Sequence, residues 1–125
     1  AFVNRQRGSG TRMLLDHCLE ERGIDSASIP GYEREVTTHL AVALAVRTGE
    51  ANAGMGVYSA AKALGLSFVP VATERYELVM HHAMLDDPRI EVLVDTVSSD
   101  AFKQVLRDLG GYETDDTGVL RELRG

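Results

Sequence analysis

Nine polar residues, Asn4-Arg5-Gln6-Arg7-Gly8-Ser9-Gly10-Thr11-Arg12, stand between an apolar opening, Ala1-Phe2-Val3, and an apolar run of helical spacing that begins at Met13. The pattern reads as strand, glycine loop and helix start. Gly8 and Gly10 allow a sharp turn and close backbone approach, and Ser9 or Thr11 can cap the first amides of the helix. The uncapped N–H groups converge on one point, where the peptide dipoles place about half a positive charge. Arg5, Arg7 and Arg12 surround that point with full charges, so the loop is built to hold an anion. The plainer reading of the same residues is a capped helix with solvated arginines.

The rest of the chain sets the frame for that loop. Met13, Leu14, Leu15, Cys18 and Leu19 predict a helix over 9–22, closed by Gly23. Tyr32 to Val36 alternates as a short strand, and Thr37 or Thr38 caps a second helix that runs to Gly49. Gly54 to Val57 reads as a short strand, Tyr58 to Leu64 as a third helix, and Ser67 to Val71 as a strand whose Pro70 assigns it to an edge or an end. Glu74 to Met80 reads as a longer strand. Pro88 opens a helix through Val97, Phe102 to Leu109 forms another, and Val119, Leu120 and Leu123 suggest a final helical turn. Strands alternating with helices predict an α/β fold, a parallel or mixed sheet flanked by helices, with ligands bound at the carboxyl ends of the strands.

Composition narrows the function. A net charge of −6, with ten acids against five bases from Leu85 to Gly125, excludes an ordinary nucleic-acid-binding module, whereas the first fifteen residues hold three Arg and no acid. Cys18 is the only cysteine, which fits buried packing in a reducing, cytoplasmic compartment, and no stretch is long and apolar enough to span a membrane. The chain opens on Ala1 and enters a strand at once, from which a longer parent chain with an upstream domain is expected.

A second helix start, Thr37-Thr38-His39, sets hydroxyls beside an imidazole that can donate a hydrogen bond to an oxyanion. No catalytic set accompanies it. His81 and His82 are adjacent and diverge on a strand, Cys18 and His17 diverge on a helix, and Gly8-Ser9-Gly10 matches neither a nucleophile elbow nor a phosphate loop. No metal site, no cofactor and no catalytic residue is assigned. On Arg12 the spacing places the guanidinium within the first helical turn, where it can fork onto two anion oxygens.

Phe2-Val3-Asn4-Arg5-Gln6 with Gly8-Ser9-Gly10-Thr11-Arg12, Thr38-His39 with Ala41-Val42-Ala43, and Gly49-Glu50-Ala51-Asn52-Ala53-Gly54-Met55-Gly56 together resemble the periplasmic-binding-protein-like domains of MoeA-type molybdopterin-biosynthesis proteins and helix-turn-helix regulators. Asp87-Pro88 to Tyr112 is similar to the closing helices of molybdate-binding periplasmic proteins. The resemblance implies one ligand lobe, about 1–72, and a return segment, 73–125, belonging partly to a second lobe, with crossovers at 1–4 and 73–80. It implies molybdate or tungstate as ligand, held by Arg5, Gln6, Ser9, Gly10, Thr11, Arg12, Thr38 and His39. In molybdate binders a tyrosine follows the glycine strand; here Val57 aligns with it and Tyr58 falls one residue late. Two roles are open: a non-enzymatic sensor of oxyanions, as in molybdate-responsive transcription regulation, or an accessory domain that positions a pterin intermediate for a molybdopterin-biosynthesis enzyme. The apolar stripes at Pro88 to Val97 and Ala101 to Leu109 predict a homo-oligomer, a closed dimer being the soluble form.

Overall fold

The computed structural model describes residues 1–123, and within it the chain divides into two compact units, 1–68 and the residues from Val69 on. The last two residues of the segment 73–125 lie outside the described part.

The first unit is organised by β1 (Phe2–Arg5), which pairs in parallel with β2 (Glu35–Val36) on one side and β3 (Ala53–Gly54) on the other. The sheet order is β2-β1-β3. α1 (Gly10–Glu21) links β1 to β2, α2 (His39–Arg47) carries the chain from β2 past β1 to β3, and α3 (Tyr58–Ala63) follows β3. Right-handed crossovers that run in opposite directions across the sheet, β1 to β2 and then β2 back to β3, put α1 and α2 on opposite faces. Side chains agree with this. Val3, fully buried, packs with Val42, Ala45, Ala51 and Val36 under α2, while Asn4 and Glu35 share the other face.

The β1–β2 pairing extends beyond the two-residue β2. Phe2 N–H donates to Pro30 O at 2.7 Å, Asn4 N–H to Arg34 O at 2.8 Å and Gln6 N–H to Val36 O at 3.0 Å. The expected strand Tyr32 to Val36 is therefore shortened, because Tyr32 and Arg34 turn their amides back to Ile29 O and Gly31 O instead of presenting a ladder. The expected strand Gly54 to Val57 is likewise reduced to Ala53–Gly54. All observed ladders are parallel, so the mixed sheet is corrected to a parallel one among the described residues.

The expected strand Ser67 to Val71, which crosses from the first unit into the second, and the expected strand Glu74 to Met80 in the second are not formed. A strand exists only as a partner in a ladder, and this stretch has none; Val69, Val71, Tyr76, Leu78 and Val79 stand exposed. α4 (Pro88–Ser98) and α5 (Asp100–Leu109) form as read, capped by Asp87 and Ser99 and stopped at Gly110. The expected last helical turn is absent from the described residues after Tyr112, where Thr117 and Val119 amides close a turn on Thr114 and Asp116. No described residue of this unit is buried.

Two glycines give a matched test of packing against backbone strain. Gly8 and Gly31 both adopt φ of +91°, but a Cβ at Gly8 meets nothing within 4 Å, whereas one at Gly31 would stand 2.0 Å from Phe2 O. Gly8→Ala should cost about 1–2 kcal/mol of left-handed strain. Gly31→Ala should cost clearly more, because β1 must move from its ladder, and urea unfolding of both variants measures the difference. A second outcome concerns acid. Hydrogen bonds from the Arg89 guanidinium and amide hold Asp87 below the usual carboxylate range, so its hold on the α4 start is complete above about pH 4 and is lost as pH falls further. The Arg89 and Ile90 amide resonances report that loss, and Asp87→Asn, which keeps the acceptor, should blunt it.

Candidate functional site

Three loops leave the carboxyl ends of three adjacent parallel strands: 6–9 after β1, 37–38 after β2 and 55–57 after β3. With order β2-β1-β3, the connection after β1 runs to β2 and the next runs back past β1 to β3, and the crevice between β1 and β3 is where such sheets bind ligands.

In the first loop Gln6 ties the chain to β2 through its amide, and Ser9 N–H donates to Gln6 O at 3.2 Å, tightening the turn. Ser9 is the N-cap of α1: its Oγ accepts from the Arg12 amide at 3.2 Å. Gly10 and Thr11 contribute the other first-turn amides, which a helix start cannot satisfy internally. α2 repeats the device. Thr38 Oγ1 accepts from Ala41 N–H at 2.9 Å, capping the helix that His39 opens. His39 reaches toward the third loop, since a Cβ on Gly56 would lie 3.6 Å from His39 Nδ1. Tyr58 opens α3 but packs its ring edge-on to Phe68, with centroids 5.3 Å apart.

The arginines divide into distinct roles. Arg5 ends β1; its Nε donates to Gln6 Oε1 at 3.1 Å, while its Nη1 is enclosed with no hydrogen-bond partner among the described residues. An enclosed guanidinium nitrogen without an acceptor carries a desolvation cost, which an anion would remove. Arg12, at 3% exposure, has other partners than the anion oxygens expected for it. Its Nη1 donates to Glu35 Oε1 at 2.5 Å and to Arg5 O at 3.3 Å. Its Cζ lies 4.8 Å from the Tyr32 ring centroid. Burial alone would lower its pKa, but Tyr32 and Glu35 outweigh burial and hold it above its ordinary value. Tyr32 is anchored in turn, its hydroxyl donating to Asp16 Oδ1 and its carbonyl accepting from Asn4 Nδ2. Arg7 stays exposed, 3.7 Å from Glu33 and 3.8 Å from Glu35.

Glu35, Tyr32 and Asn4 were not among the expected site residues. Nothing in their spacing pairs Glu35 with Arg12, 23 residues earlier; the β1–β2 register does. Cys18 is half-buried. Along α1 an open groove of about 300 Å³ is lined by Asp16, Glu20, Asp25, Leu19 and Tyr32, and its acids repel anions. Among the described residues no group of three or more His, Cys, Asp or Glu is placed to hold a metal ion, and no helix is long and apolar enough to cross a membrane.

Residues 1–98 match the family model described as a PBP superfamily domain. The chain belongs to this periplasmic-binding-protein-like family. It is 36% identical over 119 residues to "Uncharacterized protein YvgK" of Bacillus subtilis (strain 168), covering 95% of this chain and 38% of that protein. It is 40% identical over 113 residues to "Uncharacterized protein in ferredoxin 2Fe-2S gene 5'region" of Clostridium pasteurianum, covering 89% of this chain and all of that one. The chain thus spans well under half the length of the Bacillus relative. No solved structure matches it. The family match covers the whole of the first unit and α4, so the parallel sheet with its three loops is that of a periplasmic-binding-protein-like domain.

Arg12→Ala should lower stability by about 2–4 kcal/mol, since it removes a buried cation and leaves Tyr32 and Glu35 without their partner. Arg12→Lys should recover only part of this, because an ammonium cannot span Glu35, the Arg5 carbonyl and the Tyr32 face at once. Urea midpoints at constant slope check both.

Proposed function

We propose that this chain is a non-enzymatic binding module for a small tetrahedral oxyanion, held at the carboxyl end of β1. The observation that carries the reading is Arg5 Nη1, enclosed and without an acceptor at the end of the central strand. Around it stand the α1 and α2 starts, whose Gly10, Thr11 and Leu40 amides offer donors to an anion. Gln6 orients the Arg5 guanidinium. Ser9 and Thr38 shape the helix starts as caps. Arg12 acts as a positioning residue that locks α1 to β2.

Molybdate and tungstate are the ligands implied by the resemblance of the glycine loop and of Thr38-His39 to molybdate-binding domains. The surrounding charge suits them: one unneutralised guanidinium plus two helix ends of about half a charge each roughly balances a dianion. In the parent protein residues 1–72 would form one lobe of a two-lobed binder, with the return segment 73–125 belonging partly to the second. It would act in the cytoplasm, in molybdate-responsive regulation or in molybdenum cofactor biosynthesis.

Calorimetry with molybdate, tungstate, sulfate and phosphate tests the reading. At least one should bind at micromolar to millimolar concentration, and Arg5→Gln should weaken it by about tenfold or more while shifting the unfolding midpoint little. Absence of heat and of thermal stabilisation with all four anions would overturn it.

A further inference from the structure

The loop carries three arginines, yet two acids from the β2 side answer two of them. Glu35 Oε1 takes Arg12 Nη1 at 2.5 Å and stands 3.8 Å from Arg7 Nε, and Glu33 stands 3.7 Å from Arg7 Nη2. Arg7, Arg12, Glu33 and Glu35 therefore sum to zero charge, and Arg5 is the one loop arginine without a carboxylate among the described residues. Arg12 and Glu35 differ in a way that matters here. Arg12 is buried, while the Glu35 side chain is 39% exposed; its negative charge is held against a buried cation of the first helical turn of α1 and remains open to solvent.

We propose that Glu35 is the charge-selectivity residue of this site: a fixed carboxylate that neutralises Arg12 and Arg7 and so sets how many negative charges the loop accepts. This rests on the oxyanion reading above. A repulsive element of this kind discriminates between ligands of one shape and different charge. Its effect on binding free energy scales with the ligand's charge, because the Coulomb energy between Glu35 and the anion is proportional to both. A carboxylate with a purely structural role would instead weaken all anions alike when removed, through a loosened α1 start. Nothing in the expected effect requires Glu35 to move. Arg12 stays under Tyr32 in both cases, and what changes is whether its charge is felt by the ligand.

Sulfate and perchlorate are tetrahedral anions of similar size carrying two charges and one, so they separate charge from shape. NMR titration of the full chain with each, at constant ionic strength, is the test, with Glu35→Gln as the variant. The glutamine keeps an acceptor for Arg12 and removes the charge. Sulfate should bind the variant about fivefold tighter and perchlorate about twofold tighter, so that the sulfate-to-perchlorate preference rises by roughly twofold or more. An unchanged preference, or equal weakening of both anions, overturns the inference while leaving the oxyanion reading intact. If Glu35→Gln does not fold, Glu35→Asp, whose carboxylate is drawn back from Arg12 by one methylene, should shift the preference in the same direction by less; no shift there overturns it equally. Failure of wild type and variant alike to bind either anion overturns the oxyanion reading and this inference with it.

Discussion

The first unit depends on the two-sided hydrogen bonding of β1. Four residues, Phe2 to Arg5, hold a parallel neighbour on each side, and a parallel ladder can be made only if each neighbour arrives by a crossover. That requirement creates α1 and α2, sends them to opposite faces and brings their N-termini to the same edge of the sheet. The convergence of the two helix starts at one sheet edge is thus a by-product of connectivity. Val3 anchors it energetically, being fully buried under Val42 and Ala45, and Gly54 lets β3 approach closely, since a Cβ there would stand 2.5 Å from Val42 Cγ1.

Charge is handled differently on the two faces. On the α1 face Arg12 is buried but matched by Glu35 and Tyr32, and Asn4 is buried but bonded to Tyr32 O. These groups spend their hydrogen bonds inside the protein and hold the strand-to-helix turn in one conformation. Arg5 is the exception, because one of its nitrogens is enclosed without an acceptor. Buried polar groups are nearly always satisfied, and this exception at the end of the central strand is what the proposed function rests on.

The second unit shows the complementary condition. Its helices are well capped by Asp87 and Ser99, so local chemistry is sufficient to form them, yet none of its described residues is buried. Caps and propensity make a helix; only a facing surface makes a core. The stretch from Val69 to Met80 makes the same point for strands, since alternating Tyr76, Leu78 and Met80 supply the pattern but no ladder receives it.

Local signals were legible in the chain itself. Ser9, Thr38 and Pro88 mark helix starts, Gly23, Gly49 and Gly110 mark their ends, and these follow from capping and from backbone conformations only glycine adopts readily, both of which act within a few residues. The α/β alternation follows from the same short-range patterns. Register and charge pairing were decided by the tertiary structure alone. The sequence alone assigns Arg5 and Arg12 alike to the anion, and only the β1–β2 register, Asn4 beside Glu35 and Arg5 beside Val36, gives Arg12 a carboxylate and leaves Arg5 without one. Strand length was decided there too, because a ladder depends on what a distant segment offers, and that offer is not written within the strand.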